Sequence, residues 1–216
     1  MPRSLPIDAV TVDGFGTLVR LQDPVSNLDT ALRAYGVIAQ PLEIARAFRA
    51  EAAYYRPRSL EGRDPASLSR LRSACVGVFL GELGVQLEVD RFVDSFMAAL
   101  RFELLPGVRS SLESLSSRGI ALACVANWDI GLHDELRRLG VDNLFQLVLT
   151  SADAGAAKPD PAIFLQTLAA LGVDPSCSVH IGDEDVDRIG AIGAGMRFEP
   201  IPLETLPERL FGTMTG

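Results

Sequence analysis

Four acidic side chains lie within five consecutive positions of the stretch GDEDVD, at Asp183, Glu184, Asp185 and Asp187. Carboxylates this close repel one another, and a divalent cation with oxygen ligands would offset the repulsion. Magnesium commonly takes this role beside the phosphate groups of a substrate. A solvated turn whose acidic residues stabilise the N-terminus of the following helix is the alternative interpretation, and the stretch alone favours neither.

Three further polar side chains stand where apolar runs of the sequence end. Asp13 follows DAVTV, Asn127 follows IALACVA, and Lys158 lies in the loop AGAAKPDP that comes after QLVLT. Parallel sheets bind ligands at the carboxyl ends of their strands, so we expect these side chains to converge with Asp183. Lys158 would then stabilise Asp13 as an anion and neutralise a transferring phosphoryl group.

The elements that must position these groups alternate between strand and helix in most of the chain. Short buried strands are predicted at 8–12, 120–126, 146–150, 178–181 and about 197–201. Apolar residues at helical spacing separate the last four of these strands. Such alternation is typical of a parallel sheet with helices on both faces.

The segment 23–103 differs, because its apolar residues keep helical spacing with breaks near Gly36, Pro57, Gly62 and Gly84. We therefore predict an α/β fold with a doubly wound parallel sheet, formed by residues 1–20 and 104–216. An all-helical domain at 21–103 is inserted into it.

The composition is that of a folded globular protein, with 216 residues, 48% hydrophobic and 22% charged. A net charge of −8 disfavours binding to nucleic acid. No apolar run approaches the roughly 18 residues of a membrane-spanning helix, and the N-terminus does not resemble a secretory signal. We expect a cytoplasmic protein, a monomer or homodimer, that binds a small anionic molecule and no membrane.

The cysteines and histidines are expected to be structural. Cys75, Cys124 and Cys177 are odd in number, far apart and without a C-x-x-C pair, which argues against disulfides and zinc and favours small buried hydrophobes. His180 lies within an apolar strand and is predicted to be a packed core residue. His133 lies on a predicted helix and has no evident partner.

Four segments, in order, resemble the motifs of the haloacid dehalogenase superfamily. The opening D-x-x-G-T-L from Asp13 resembles its first motif, the strand end with Asn127 its second, Lys158 in AAKPDPAIF its third, and GDEDVDRIGAIGAG its fourth. Order and spacing agree over essentially the whole chain. The helical insertion lies where that family places its cap domain, so the resemblance implies a hydrolase with an α/β core and a helical cap.

The resemblance implies a nucleophile and a metal site. Asp13 would attack phosphorus and form an aspartyl-phosphate, which splits the reaction into two steps. Asp13, the backbone carbonyl of Phe15 and Asp183 would hold Mg²⁺, with Asp187 as a further ligand or in the layer around the ligands.

The resemblance also implies roles for the residues around these groups. Thr17 would stabilise the loop after the nucleophile, and Lys158 would complete the charge balance. The substrate site would be lined by Phe15, Gly16, Ala126 and Asn127. The cap would close over the substrate and determine specificity.

Two positions depart from the family pattern. Phosphatases of the family usually carry an aspartate two residues after the nucleophile as general acid and base, and Phe15 stands there. Such a group contributes about 10²–10⁴-fold to the rate. The second motif usually ends in a serine or threonine that binds phosphoryl oxygens, and Ala126 stands there. Losing one such donor costs roughly 2–4 kcal/mol of transition-state stabilisation.

These departures leave three interpretations. A magnesium-dependent phosphatase, with a good leaving group or an acid from the cap, is favoured by the presence of Asp183 and Asp187. A 2-haloacid dehalogenase, in which Asp13 attacks carbon without a metal, is favoured by the aromatic Phe15, since those enzymes usually carry tyrosine there, and is disfavoured by Asp183. A catalytically weakened binding protein is favoured by Phe15 together with Ala126. We predict the phosphatase.

Overall fold

The computed structural model describes residues 6–212, which fall into two compact units. The first unit is made by the chain up to Arg20 and from Leu104 onward, and the second is Leu21–Glu103. The chain passes between them through two short strands, β2 (Val19–Leu21) and β3 (Phe102–Leu104), which pair as a two-stranded sheet. The second unit is therefore inserted into the first at a single place.

A five-stranded parallel sheet forms the middle of the first unit. Its strands are β1 (Ala9–Val12), β4 (Ala121–Ala126), β5 (Leu147–Thr150), β6 (Ser178–Gly182) and β7 (Arg197–Pro200), and they lie in the order β5–β4–β1–β6–β7. Every residue of β1 and β6 is buried, which explains their nearly continuous apolar runs. Val12 lies opposite Cys124 and Ile181, so the residue after Val12 leaves the sheet between β4 and β6.

The second unit consists mainly of four helices: α1 (Pro24–Arg33), α2 (Pro41–Tyr55), α3 (Pro65–Leu83) and α4 (Val89–Ala99). Three of them begin with proline, whose missing N–H has no role in the first turn. The Asp64 carboxylate caps α3 by accepting hydrogen bonds from two backbone N–H groups of its first turn. The aromatic rings of Phe79, Phe92 and Phe96 pack at the centre of this unit.

The helices of the first unit are α5 (Val108–Ser117), α6 (Gly131–Arg138), α7 (Ser151–Ala154), α8 (Ala162–Leu171), α9 (Asp185–Gly193) and α10 (Leu206–Phe211). Buried residues of β4, α8 and α9 share one apolar cluster that includes Val125, Phe164 and Ala191. At Gly190 of α9 a Cβ atom would lie 2.6 Å from the Phe164 ring, so glycine permits the close approach of these helices.

The structure confirms the predicted α/β fold with a parallel sheet. Each predicted strand is present with its ends shifted by at most one residue. The prediction was wrong at residues 102–103, which belong to β3 and not to a helical segment. Helix α8 begins at Ala162, whose N–H donates to the Asp160 carboxylate at 2.9 Å.

Two further predictions concern the burial of the cysteines and the presence of membrane-spanning helices. Cys75 and Cys124 are buried as predicted, whereas Cys177 is partly exposed at the end of a 3-10 turn (Pro175–Cys177). Within residues 6–212, every helix is too short or too polar to cross a membrane.

Candidate active site

The carboxyl edge of the sheet brings together Asp13, Lys158, Asp183 and Asp187. Asp13 follows the central strand β1, and its backbone N–H donates to the carbonyl oxygen of Ile181 in β6 at 2.9 Å. One carboxylate oxygen from each of the three aspartates lies within 4.8 Å of the other two. Asp13 and Asp187 are buried and Asp183 is exposed, so the cluster is reached by solvent from the side of Asp183.

Lys158 is the only lysine in the sequence, and it is 4% exposed. Its ammonium donates to Oδ1 of Asp13, to Oδ1 of Asp187 at 2.5 Å, and to the carbonyl oxygen of Val125 at 3.0 Å. An ammonium has three N–H donors, so these contacts use all of them. Lys158 therefore ties the end of β1 to the start of α9 and to β4.

His180 lies behind this cluster, fully buried in β6. Its Nε2 is 3.2 Å from Oδ1 of Asp187, and its Nδ1 is 2.8 Å from the hydroxyl of Thr11, the residue opposite it in β1. Because an ionised carboxylate only accepts hydrogen bonds, Nε2 carries the proton and Nδ1 accepts from Thr11. Asp187 also accepts from the backbone N–H of Glu184 at 3.1 Å, so both of its oxygens are held by this unit.

The loop after Asp13 is fitted closely to Asp183. Gly16 has a φ of +88°, a conformation that L side chains rarely adopt, and a Cβ atom there would collide with the Asp183 carboxylate. The hydroxyl of Thr17, 2% exposed, donates to Oδ1 of Asp183 at 3.4 Å. Both residues therefore position Asp183, which gives Thr17 and Gly16 a structural link to the acidic cluster.

Asn127 holds the loop that carries Lys158. Its amide nitrogen donates to the carbonyl oxygen of Lys158 at 2.9 Å, and its amide oxygen accepts from the N–H of Lys158 at 2.8 Å. The side-chain amide of Asn127 thus forms two hydrogen bonds with the backbone of a residue that lies 31 positions later in the sequence. The predicted contact of Asn127 with substrate stays a prediction, whereas its positioning of Lys158 is observed.

The pKa values reflect the competition between burial and charge. Burial raises the pKa of Asp13 to about 6, although the Lys158 charge opposes the rise. Burial likewise opposes ionisation of Asp187, but the hydrogen bond from His180 and the Lys158 charge hold the pKa of Asp187 below its ordinary value. Burial and the neighbouring charges of Asp187 and Glu184 raise the pKa of Asp183.

The pKa values of the two basic groups, Lys158 and His180, are shifted in opposite directions. Burial acts to lower the pKa of Lys158, but the charges of Asp13 and Asp187 outweigh it and raise the value, so Lys158 is a cation. Burial lowers the pKa of His180, so the imidazole is neutral near pH 7. The cluster therefore contains three carboxylates and a single charged ammonium, which contacts Asp13 and Asp187.

The two departures noted in the sequence lie at this site. Phe15 is 42% exposed, two residues after Asp13, in a loop closed by hydrogen bonds from Gly16 N–H to the Val19 carbonyl (2.8 Å) and from Leu18 N–H to the Gly14 carbonyl (2.8 Å). Ala126 is buried at the end of β4. A Cβ atom on Gly14 would lie 3.1 Å from that of Ala126, so the two strand ends are in contact.

Two contacts of this unit were not predicted. His180 was expected in the core and is buried there, but its bond to Asp187 depends on the path of the turn between β6 and α9, which the sequence does not display. The expectation that His133 has no partner is wrong, because its Nε2 lies 2.8 Å from Oδ2 of Asp153. The Asp153 carboxylate also accepts from the hydroxyl of Thr150 at 2.8 Å, and that hydroxyl caps α7 by accepting from the backbone N–H of Asp153 at 3.1 Å.

The donor set fits a hard divalent cation. Asp13, Asp183 and Asp187 offer carboxylate oxygens, which Mg²⁺ prefers, and the cluster includes no sulfur ligand. The excess of carboxylates over ammonium groups, and the raised pKa of Asp183, are what a cation would relieve. Asp183 and Asp13 are suited to contact the cation, while Asp187 is occupied by Lys158, His180 and a backbone N–H.

Fold and site together define an α/β enzyme with a carboxylate and a lysine at the carboxyl edge of a parallel sheet. Residues 69–200, 132 of the 216, match the family of haloacid dehalogenase-like hydrolases. The haloacid dehalogenase-like hydrolase domain-containing protein 3 of Mus musculus is 31% identical over 209 residues, which cover 91% of this chain and 82% of the relative. The chain therefore belongs to the haloacid dehalogenase-like hydrolases.

Two further relatives represent two chemistries of this family. The phosphoserine phosphatase of Thermus thermophilus is 38% identical over 104 residues, which cover 47% of this chain and 42% of that enzyme. The crystal structure of a 2-haloacid dehalogenase from Pseudomonas syringae superposes with a TM-score of 0.65 at 26% identity. It covers 94% of this chain and 98% of the other.

Proposed function

We propose that the protein is a magnesium-dependent phosphatase that acts on a small phosphorylated molecule through an aspartyl-phosphate on Asp13. The observation that carries the proposal is the convergence of Asp13, Asp183 and Asp187, with a buried ammonium that contacts Asp13 and Asp187. This arrangement combines a nucleophile with a donor set suited to a divalent cation. The similarity to a phosphoserine phosphatase supports it.

In the first step a carboxylate oxygen of Asp13 attacks phosphorus, and the bond from phosphorus to the leaving group breaks. Lys158 orients Asp13 through its hydrogen bond to Oδ1 and opposes the negative charge that gathers on the phosphoryl oxygens. In the second step water attacks phosphorus, the Asp13 carboxylate departs, and inorganic phosphate is released with loss of a proton to solvent.

Asp13, the carbonyl of Phe15 and Asp183 would hold the cation. Magnesium, when bound, would offset the charge of the phosphoryl group. Thr17 and Gly16 position Asp183 through the contacts described above, and His180 orients Asp187.

A 2-haloacid dehalogenase is the second candidate, because an exposed aromatic ring at Phe15 and the similarity to the Pseudomonas syringae enzyme both favour it. In that reaction Asp13 attacks carbon and displaces halide, with no need of a cation. The pairing of Asp183 with Thr17 and the close fit of Gly16 against it favour the phosphatase, since they build a carboxylate position that halide displacement does not use.

The test compares the wild-type protein with Asp13→Asn on acyl phosphates, phosphomonoesters and 2-haloacids, with magnesium or with a chelator. We expect phosphate release that requires magnesium and is lost in Asp13→Asn. Calorimetric titration with magnesium gives a readout independent of turnover. Asp183→Asn should weaken the binding, and Asp185→Asn, which removes an exposed carboxylate of the same stretch paired with Arg188, should leave it unchanged.

Two outcomes would reject the phosphatase. Equal turnover by Asp13→Asn would exclude Asp13 as the nucleophile. Halide release from 2-haloacids that persists in the presence of the chelator, with no phosphate release from any phosphorylated compound, would establish the dehalogenase instead.

A further inference from the structure

We propose that this site cleaves substrates whose leaving group departs as a stable anion without a proton, with acyl phosphates as the substrate class. This inference rests on the proposed function and concerns the chemistry of its first step. An alkoxide leaving group needs a proton as the bond to phosphorus breaks, whereas a carboxylate leaving group does not. Cleavage of an alkyl phosphate would therefore require a group near Asp13 that is placed to supply a proton.

Lys158 is the cation in contact with the nucleophile, and its three N–H donors are all in use. They are directed to Asp13, Asp187 and the carbonyl oxygen of Val125. Proton transfer from Lys158 to a leaving group would break one of these contacts and leave two buried carboxylates without their counter-charge. Such a loss is strongly destabilising, so Lys158 stabilises charge and does not act as the acid.

His180 and Cys124 are equally unsuited. His180 is fully buried, and its two ring nitrogens are bonded to Asp187 and Thr11. Cys124 is fully buried in β4. Neither side chain reaches the solvent-facing side of the cluster, where a substrate must enter.

The loop that follows Asp13 carries an exposed aromatic side chain. Phe15, two residues after the nucleophile, exposes 42% of its surface in a loop whose backbone is held by hydrogen bonds. A Cβ atom on Gly14 would lie 3.4 Å from the ring of Trp128, so that ring packs directly on the loop. Carbon surfaces hold no transferable proton, and they favour a substrate that is apolar beside its phosphoryl group.

The first step then balances without an acid. A carboxylate oxygen of Asp13 forms the bond to phosphorus, and the electron pair of the breaking P–O bond leaves with the departing carboxylate. Among the side chains described around Asp13, Lys158 uses all its N–H donors and His180 is fully buried, so neither serves as a base for the water that attacks the aspartyl-phosphate. Hydrolysis of the phosphorylated enzyme is therefore expected to be the slower step.

The experiment measures kcat/KM for phosphate release from acetyl phosphate, from aryl phosphates whose phenols span pKa values of about 5 to 10, and from an alkyl phosphate. The proteins are the wild type, Phe15→Asp, and Phe15→Asn as a control of similar size without an acid. For the wild type we expect log(kcat/KM) to fall steeply as the leaving-group pKa rises. Phe15→Asp should flatten the dependence by raising the rate of the alkyl phosphate about 10²-fold or more.

The controls separate this inference from the proposed function. Phe15→Asn should keep the steep dependence, and a thermal melt of each variant checks that the fold is retained. A shallow dependence in the wild type, with all activity lost in Asp13→Asn, would overturn the inference and leave the phosphatase intact, because a proton donor would then be present. Absence of Asp13-dependent phosphate release from every compound would overturn both.

Discussion

Glu51 of α2 offers a test of the energetics of the helical unit that does not involve the active site. Its side chain is 7% exposed. Burial raises the pKa of Glu51 from its ordinary value of 4.5 to about 7, although a hydrogen bond with the thiol of Cys75 opposes the rise. The substitution Glu51→Gln keeps the size of the side chain and removes its charge.

The raised pKa of Glu51 determines how the stability of the folded state changes with pH. Below about pH 4.5 the carboxyl is protonated in both the folded and the unfolded chain, so it carries no penalty. As the pH rises towards 7, the unfolded chain loses the proton first, and the folded state becomes progressively less stable. Above pH 7 both states are ionised, and the full penalty of about 3 kcal/mol remains, since one pKa unit corresponds to about 1.4 kcal/mol.

Urea denaturation of the wild type and of Glu51→Gln between pH 4.5 and 8 measures the free energy of unfolding of each protein. The free energy of unfolding of the variant, relative to the wild type, should rise by about 3 kcal/mol across this range. Glu82→Gln, which removes an exposed carboxylate of the same unit, controls for loss of charge. A difference between Glu51→Gln and the wild type that does not change with pH would refute the assignment of a buried, protonated Glu51.

Three further predictions concern the site. Lys158→Met leaves Asp13 and Asp187 without their shared ammonium and should lower the free energy of unfolding by about 3–5 kcal/mol without added metal. Urea denaturation measures this, and unchanged stability would contradict the charge balance. Asn127→Ala removes both hydrogen bonds to the Lys158 backbone and should lower kcat by about 10²-fold with a smaller effect on KM, which steady-state kinetics checks. Gly16→Ala places a Cβ against Asp183 and should weaken magnesium binding about 10–100-fold, and a calorimetric isotherm like that of the wild type would refute this.

The parallel sheet could be predicted because its central strands are buried on both faces. Residues 8–12 and 178–181 read as apolar runs for this reason, and the helices between the strands show a period that a sequence displays directly. The pair β2 and β3 could not be predicted, since each strand has three residues and their pairing joins segments about 80 residues apart. Short strands of this kind depend on tertiary contacts and have no periodicity of their own.

The site could be predicted in part for a related reason. Asp13 and Asp183 end neighbouring strands, so knowing that the sheet is parallel is enough to place them at one edge. The bond from His180 to Thr11 requires the register of β1 against β6. The bond from His180 to Asp187 and the pairing of Asn127 with the Lys158 backbone require the paths of two loops. These are set by packing and are not visible in residue types or spacing.

The charge of the cluster explains why its parts depend on one another. Asp13, Asp183 and Asp187 bring three carboxylates to one place, Lys158 supplies one positive charge, and His180 is neutral because of its burial. Two negative charges would therefore remain in a partly buried site if all three acids were ionised, and burial together with the charge of Asp187 raises the pKa of Asp13 and of Asp183. A divalent cation matches the excess in magnitude and in ligand preference, and binding it would stabilise the ionised form of Asp13, the form in which the proposed nucleophile reacts. The charge balance that makes the cluster unfavourable by itself would thus prepare Asp13 for the proposed reaction once cation and substrate are both present.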